Sequence, residues 1–204
     1  MLNLHFPTPI YVADTILNVQ DHQYLKEKCD EVKEKITKPA FEIGWLCPTK
    51  TSFGDKTFVY QDEDFNKLVE TKIAYVKSFI TELTKAKLKV IPTNCWMNVA
   101  NKGDYQERHT HPNSVISSIY YVKAPKDCGN TIFFNPYQRH FDYLGEENVV
   151  TQQNTIYTPV EGRLVLFESH VPHAVTPQIT DKERITISTN FTIEEITEGN
   201  NDNG

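Results

Sequence analysis

This chain has few of the features that mark membrane, secreted or nucleic-acid-binding proteins. No apolar run approaches the roughly 20 residues of a membrane-spanning helix. The first seven residues have neither the basic start nor the apolar core of a signal peptide. With 21 basic and 27 acidic residues the formal net charge is -6, and nucleic-acid phosphates need a basic face. We therefore expect neither a membrane nor a nucleic-acid backbone as a partner.

Cysteine is also scarce, and no CxxC pair is present. The four cysteines are Cys29, Cys47, Cys95 and Cys128. A chain of 204 residues can bury a core without disulfide support. The cysteines are therefore predicted to be free thiols in a reducing, cytoplasmic compartment, which for a viral protein is the host cytoplasm.

The first 90 residues of the chain have a mainly helical pattern. Residues 16–36 predict one helix that ends before Pro39, and residues 62–87 predict a second, with Asp62 or Asp64 as its cap. Apolar residues recur at helical spacing in the second segment and predict a face that packs on a sheet. They are Phe65, Leu68, Val69, Ile73, Val76, Phe79, Ile80 and Leu83.

From about residue 91 the pattern changes to short strands rich in β-branched and aromatic residues. The predicted strands are residues 93–99, 114–122, 131–134, 155–159, 163–167, 173–176 and 184–193, with Glu161-Gly162 as a hairpin turn. So many short antiparallel strands indicate a sandwich or jelly roll. We expect one α+β domain over residues 1–196, with a β-core at 91–193. The acidic, Asn/Gly-rich tail at 197–204 is predicted to be disordered.

Three histidines form the most informative pattern. His109 and His111 are two residues apart, so their side chains share one face if the segment is extended, and Pro112 favours that conformation. His173 supplies a distant third imidazole, and neutral imidazoles bind divalent iron, zinc, copper and nickel. Arg184 follows at the start of a predicted strand. The order predicts a mononuclear metal site beside a carboxylate-binding site. His170 would face away from His173, and His5, His22 and His140 are expected to be ordinary polar residues.

Five segments in sequence order resemble the Fe(II)/2-oxoglutarate-dependent dioxygenases, in particular the prolyl 4-hydroxylase-like branch. The local sequence around the histidines is similar to that of uncharacterised oxygenases of this family from bacteria and phages. The resemblance covers roughly residues 94–191, about half the chain. The segments are Gly103 with His109, residues 118–122, residues 128–133, residues 162–177, and residues 184–186.

This resemblance implies a double-stranded β-helix, a cupin-like jelly roll, with the N-terminal helices packed on the major sheet. It implies Fe(II) as the metal and 2-oxoglutarate as the co-substrate of a hydroxylation that releases succinate and CO₂. His109 and His173 would be iron ligands. Arg184 would pair with the distal carboxylate of 2-oxoglutarate, because a guanidinium binds a carboxylate bidentately and stays charged. Thr186, on the same strand face, would donate a second hydrogen bond.

The sequence departs from the family pattern at two positions. The family usually has an acidic residue at position 111, so the third ligand is either His111 or a carboxylate such as Asp104 or Glu107. Ala100 stands where relatives have a tyrosine that touches 2-oxoglutarate. Tyr121 is the predicted substitute, with Tyr105 and Tyr120 as alternatives. Asn98, which shares a strand face with Trp96 and Ala100, is predicted to line the pocket.

Two other functions fit the same residues. One is a three-histidine cupin-type dioxygenase that needs no 2-oxo acid, and the other is a non-catalytic jelly roll that binds a metal or a partner. The substrate is not readable, and a small metabolite, a peptidyl proline and a nucleobase all remain open. Loops at 41–60 and 136–154 are predicted to contact it. The sequence does not separate a monomer from a homodimer.

Overall fold

Two α-helices form from the N-terminal half of the chain. The computed structural model describes residues 7–54, 62–137 and 151–196. Helix α1 spans Val19–Lys33 and helix α2 spans Asn66–Thr84, with 3-10 helices at Ala40–Ile43 and Glu63–Phe65. The side chain of Asn18 caps α1, and the side chain of Asp62 accepts from the Asp64 amide just before α2. Asp62 therefore caps the 3-10 helix at Glu63–Phe65, whereas Phe65 precedes α2 without a side-chain cap, so neither Asp62 nor Asp64 caps α2 itself.

Ten described strands make two antiparallel sheets. They are β1 Ile10–Ala13, β2 Lys50–Thr51, β3 Leu88–Ala100, β4 Gln106–His109, β5 Ile116–Lys123, β6 Thr131–Phe134, β7 Asn154–Tyr157, β8 Leu164–Glu168, β9 His173–Val175 and β10 Arg184–Glu195. The six-stranded sheet has the order β1-β8-β5-β10-β3-β2, and the four-stranded sheet has the order β4-β9-β6-β7. The α+β class with antiparallel sheets is therefore confirmed.

The main core lies between the helices and the six-stranded sheet. Leu68, Val76 and Phe79 of α2 are buried there with strand residues such as Met97 and Ile187. This confirms the predicted apolar face of the second helix, except at its end. Leu83 is 53% exposed in the last turn of α2, which ends at Thr84.

The predicted hairpin at Glu161-Gly162 is wrong. Strand β7 pairs with β6 in the small sheet, whereas β8 pairs with β1 and β5 in the large one. The turn therefore carries the chain between sheets, with Gly162 at φ 82° and its amide donating to the Tyr121 carbonyl at 2.9 Å. Alternation and turn residues predict that a chain reverses, but they do not reveal which partner each strand finds. The edge strand β1 is a further difference, since the N-terminal region was expected to be mainly helical.

Several predictions concern residues that the structure does not describe. The predicted tail at 197–204, most of the 136–154 loop and residues 55–60 of the other predicted loop lie outside the described residues. All four cysteines lie within them, and all four are free and buried. Among the described residues, no helix has the length and apolar character needed to cross a membrane.

Candidate metal and co-substrate site

The three predicted metal ligands meet between the two sheets. His109 on β4 pairs directly with His173 on β9, and His111 follows just after β4. The His111 backbone amide donates to the Ser169 carbonyl at 2.9 Å, which fixes its segment. One ligand atom from each of the three rings lies within 4.8 Å of the others, and the Nε2 atoms of His111 and His173 are 3.2 Å apart. The geometry thus supports the predicted trio as one cluster.

Backbone carbonyls orient two of the three imidazoles. The Nδ1 atom of His109 lies 2.8 Å from the carbonyl of Glu107, and Nδ1 of His173 lies 3.1 Å from that of Val171. A carbonyl only accepts, so each Nδ1 carries the proton and donates it. The lone pair of each Nε2 is then free for a metal. This arrangement is common around histidine ligands, where the second ring nitrogen sets the tautomer.

Burial keeps the three imidazoles neutral. It lowers the pKa of His111 to about 3, with a smaller contribution from the neighbouring His109. Burial also lowers the pKa of His173 well below its ordinary value, and it lowers that of His109 despite an opposing hydrogen bond to the Glu107 carbonyl. A metal binds the neutral ring, so none of the three imidazoles has to change from a cation to the neutral form before a metal binds. Three neutral nitrogen donors suit a divalent ion such as Fe(II).

The two candidate carboxylates are held elsewhere. Asp104 lines the pocket, but its Oδ2 accepts from the Asn101 amide at 2.8 Å. Glu107 accepts from the Leu46 amide and from Gln106 Nε2. Within the described part of the chain, the histidine trio is the only group of three or more His, Cys, Asp and Glu side chains placed to hold one metal ion. The geometry therefore favours His111 over either carboxylate as the third ligand.

The remaining histidines lie away from this cluster. The side chain of His170 is 58% exposed, beside Glu168. Nδ1 of His22 lies 2.7 Å from the Tyr120 hydroxyl, on the helix side of the large sheet. His5 and His140 lie outside the described residues.

Arg184 lies in the wall of the same pocket. It begins β10 opposite Ala100, and only 6% of its surface is exposed. Its Nε atom is buried and has no hydrogen-bond partner among the described residues. An unpaired buried guanidinium nitrogen is costly unless an anion satisfies it. The pocket therefore provides a cationic donor suited to a carboxylate near the three histidines.

The strand residues predicted beside Arg184 have different positions. Thr186 and Asn98 face each other across β10 and β3, and both line the pocket with Trp96 and Ala100. The side chain of Tyr121 lies beneath Arg184, with its ring centroid 5.4 Å from Cζ, and its hydroxyl bonds Thr131 Oγ1 at 2.7 Å.

The two alternative tyrosines also differ. The ring of Tyr120 faces the helices, where its hydroxyl contacts His22, so Tyr120 is wrong as a pocket candidate. Tyr105 lines the pocket, and its hydroxyl donates to the Leu46 carbonyl at 3.2 Å.

Aromatic residues that the sequence did not single out form the outer wall. The ring of Trp45 meets that of His109 edge-on at 4.9 Å, and Phe53 meets Trp96 at 5.0 Å. Trp96 in turn lies 5.6 Å from His111. The predicted substrate segment contains Trp45 and Phe53, but aromatic residues in an irregular segment give no periodic signal that marks them as pocket residues.

Comparisons with known proteins agree with this geometry. The sequence model of the family described as "Putative 2OG-Fe(II) oxygenase" matches residues 94–190. None of the curated proteins matches the chain in sequence.

Three solved structures with the same fold are informative. A Pseudomonas putida prolyl-4-hydroxylase has a TM-score of 0.62 at 18% identity, over 90% of this chain and 92% of its own. A Trichoplax adhaerens prolyl hydroxylase, solved with a hypoxia inducible factor peptide, has a TM-score of 0.62 at 15% identity, over 89% and 82%. A Streptomyces hygroscopicus protein with bound nickel and 2-oxoglutarate has a TM-score of 0.58 at 9% identity, over 90% and 82%.

The family match confirms the resemblance predicted from the motifs. The match covers residues 94–190, just under half of the chain, and two prolyl hydroxylases of known structure share the fold. The protein is accordingly an enzyme of the class that uses Fe(II) and 2-oxoglutarate, and its histidine cluster fits the iron.

Proposed function

We propose that this protein hydroxylates a C–H bond of its substrate while 2-oxoglutarate is converted to succinate and CO₂. One observation carries the proposal: three neutral histidines line the same pocket as a buried arginine whose Nε has no hydrogen-bond partner among the described residues. Histidines alone would fit many metalloenzymes. The additional arginine is the feature that a dicarboxylate co-substrate requires.

His109, His111 and His173 would hold the iron through their Nε2 atoms. Bound Fe(II) with 2-oxoglutarate supplies the oxygen activation, which the protein side chains cannot provide. The carbonyls of Glu107 and Val171 keep two of the rings in the ligating tautomer. Phe167, which packs on His173 with ring centroids 4.6 Å apart, helps to exclude water from that side.

Arg184 would bind the distal carboxylate of 2-oxoglutarate through its Nε and its terminal nitrogens. Thr186 is two residues further along the same face of β10 and would donate a hydroxyl hydrogen bond. Asn98, directly across from Thr186 on β3, would contact the middle of the co-substrate. Tyr121 would act indirectly, as a ring on which the guanidinium rests.

The core would be a double-stranded β-helix. From β3 onward the strands join the sheets as large, small, large, small, small, large, small, large, so neighbouring turns wind around one central site. His109 and His173 lie on the small sheet and Arg184 on the large one, and all three line the pocket, which supports this arrangement. The substrate would be a small molecule or a peptide that enters beside Trp45 and Phe53.

The test is an anaerobic absorbance titration of Fe(II)-loaded protein with 2-oxoglutarate. A weak visible charge-transfer band in the wild type that is lost in Arg184→Ala and in His111→Ala would support the proposal, and Lys77→Met on the exposed face of α2 should leave it intact. A band that survives His111→Ala would move the third-ligand role to another residue. Bound iron without any band, and without succinate formation in air, would contradict the use of 2-oxoglutarate.

A further inference from the structure

A buried polar chain lies behind His111, the ligand at which the sequence departs from its family. Asn190 Nδ2 lies 3.4 Å from His111 Nδ1, and Asn190 Oδ1 accepts from Ser117 Oγ at 2.9 Å. Ser117 Oγ is also 2.8 Å from Ser169 Oγ. Asn190, Ser117 and Ser169 are 4%, 1% and 1% exposed, so these bonds are shielded from bulk water. His109 and His173 bond backbone carbonyls instead, and His111 alone of the three bonds a side-chain amide.

The amide makes His111 different because it can either donate or accept. As placed, Asn190 donates an N–H to Nδ1, so the ring proton is on Nε2 and points at His173 Nε2, 3.2 Å away. That tautomer has no free lone pair on Nε2 for a metal. If the amide turns by 180°, its oxygen faces Nδ1, and the ring proton is held on Nδ1. Only this second arrangement leaves Nε2 free to ligate.

The serines allow both arrangements. In the first, the Ser117 hydroxyl donates to Asn190 Oδ1, and Ser169 can donate to Ser117. In the second, Asn190 Nδ2 donates to Ser117 Oγ, and the Ser117 hydroxyl turns to donate to Ser169. Each hydroxyl has one donor hydrogen and two acceptor lone pairs, so neither arrangement leaves the Asn190–Ser117 contact unsatisfied. The proton lost from Nε2 and the one gained on Nδ1 exchange through solvent, so no net charge changes.

We propose that Asn190 is a positioning residue that selects the metal-binding tautomer of His111 by turning its side-chain amide, with Ser117 and Ser169 rotating to match. The inference rests on the proposed function only in taking His111 as a metal ligand. A side chain at position 190 that can only accept would keep His111 in the ligating tautomer. A side chain without a polar group would favour neither tautomer of His111. The two kinds of substitution therefore act on metal affinity in opposite directions.

The experiment measures Zn(II) affinity of the full chain by competition with a chromogenic chelator. Asn190→Ala should weaken binding about tenfold, the range seen when a partner of a histidine ligand is lost. Asn190→Asp, which keeps the shape and only accepts, should tighten binding at least threefold. Asn94→Ala changes the cross-strand neighbour of Asn190 on β3 and should stay within twofold of the wild type. Nitrogen-15 NMR of the Zn(II)-loaded protein should show the His111 proton on Nδ1 in the wild type and in Asn190→Asp.

Three results would overturn the inference: unchanged affinity in Asn190→Ala, an equal loss in the Asp and Ala variants, or Zn(II) bound through Nδ1 of His111. If Asn190→Ala does not fold, the Zn(II) affinity of the isosteric Asn190→Asp and the NMR assignment of the His111 proton still test the inference. A wild type that binds no Zn(II) would refute both this inference and the metal centre. A wild type that binds Zn(II) as expected but forms no succinate with iron would refute the proposed function alone.

Discussion

The guanidinium of Arg184 lies over the ring of Tyr121, with Cζ 5.4 Å from the ring centroid. The ring is fully buried, and its hydroxyl is anchored by Thr131 Oγ1 at 2.7 Å. The cation therefore rests on a rigid aromatic surface that the opposite sheet holds in place. A cation over an aromatic face gains about 0.5–2 kcal/mol, depending on desolvation.

This contact predicts a difference between two substitutions of Tyr121. Tyr121→Leu removes the ring and should raise the 2-oxoglutarate Kd several-fold, because Arg184 loses its support. Tyr121→Phe keeps the ring and should change that Kd less than about twofold, while the buried Thr131 hydroxyl loses its partner at a cost of about 1–3 kcal/mol in unfolding free energy. Calorimetric titration and chemical denaturation measure the two effects. Equal Kd values for the Phe and Leu variants would contradict the supporting role of the ring.

The tryptophans provide a test of the site geometry that needs no substrate. The chain has two tryptophans, and both adjoin proposed ligands: Trp45 is 4.9 Å from His109 and Trp96 is 5.6 Å from His111, between ring centroids. Co(II), a paramagnetic ion, should quench most of the intrinsic tryptophan fluorescence when it binds, and Zn(II) should quench little. Trp45→Phe should retain a quenchable signal from Trp96. Stoichiometric Co(II) binding with undiminished fluorescence would mean that the ion binds elsewhere.

A third prediction concerns the charge of the metal centre. His111→Asp restores the acidic residue usual in the family and adds one negative charge beside the metal. Mn(II) should then bind more tightly than it does to His111→Ala, because a carboxylate attracts the ion more strongly than a neutral group. The dianionic 2-oxoglutarate should bind the Mn(II)-loaded His111→Asp protein more weakly than the Mn(II)-loaded wild type. Isothermal titration with each ligand in turn measures both. Tighter 2-oxoglutarate binding to the Asp variant would argue against a charge effect.

Much of the site could be predicted because its chemistry is local in sequence. Strand alternation determines which side chains share a face. The spacing of His109 and His111, and the position of Arg184 at the start of a strand, therefore predict which way these side chains point. The strand at 131–134 was predicted with its observed bounds because turn residues flank it. The motifs that resemble the oxygenase family then identified His173 as the distant third metal ligand.

Features that depend on pairing between distant segments could not be predicted. The role of Glu161-Gly162 depends on which sheet each flanking strand joins, and Tyr120 and Tyr121 are neighbours that face opposite sides of β5. Only the register of β5 against β10 shows that Tyr121 faces the pocket side, beneath Arg184. The bond between Asn190 and His111 likewise joins residues 79 positions apart that carry no shared motif.

Lys72 offers a prediction for the side of the large sheet away from the pocket. Its side chain is fully buried beneath β10, and Nζ donates to the Ile187 carbonyl and to Thr189 Oγ1, each at 2.9 Å. Burial lowers the pKa of Lys72 from 10.5 to about 8. Below pH 8 the folded and unfolded chains both hold the proton, so this group gives no pH dependence there. Between about pH 8 and 10.5 the unfolded chain keeps a proton that the folded chain releases, so the unfolding free energy should rise with pH in this window.

The size of that rise and its loss on substitution test the assignment. A shift of this size corresponds to about 3 kcal/mol, at 1.36 kcal/mol per pKa unit. Lys72→Met should abolish the contribution, whereas Lys77→Met, the same change at an exposed position of α2, should keep it. Urea denaturation of the three proteins at closely spaced pH values measures the difference. The same slope in wild type and Lys72→Met would show that Lys72 stays protonated in the fold through this range, held by its two hydrogen bonds against the cost of burial.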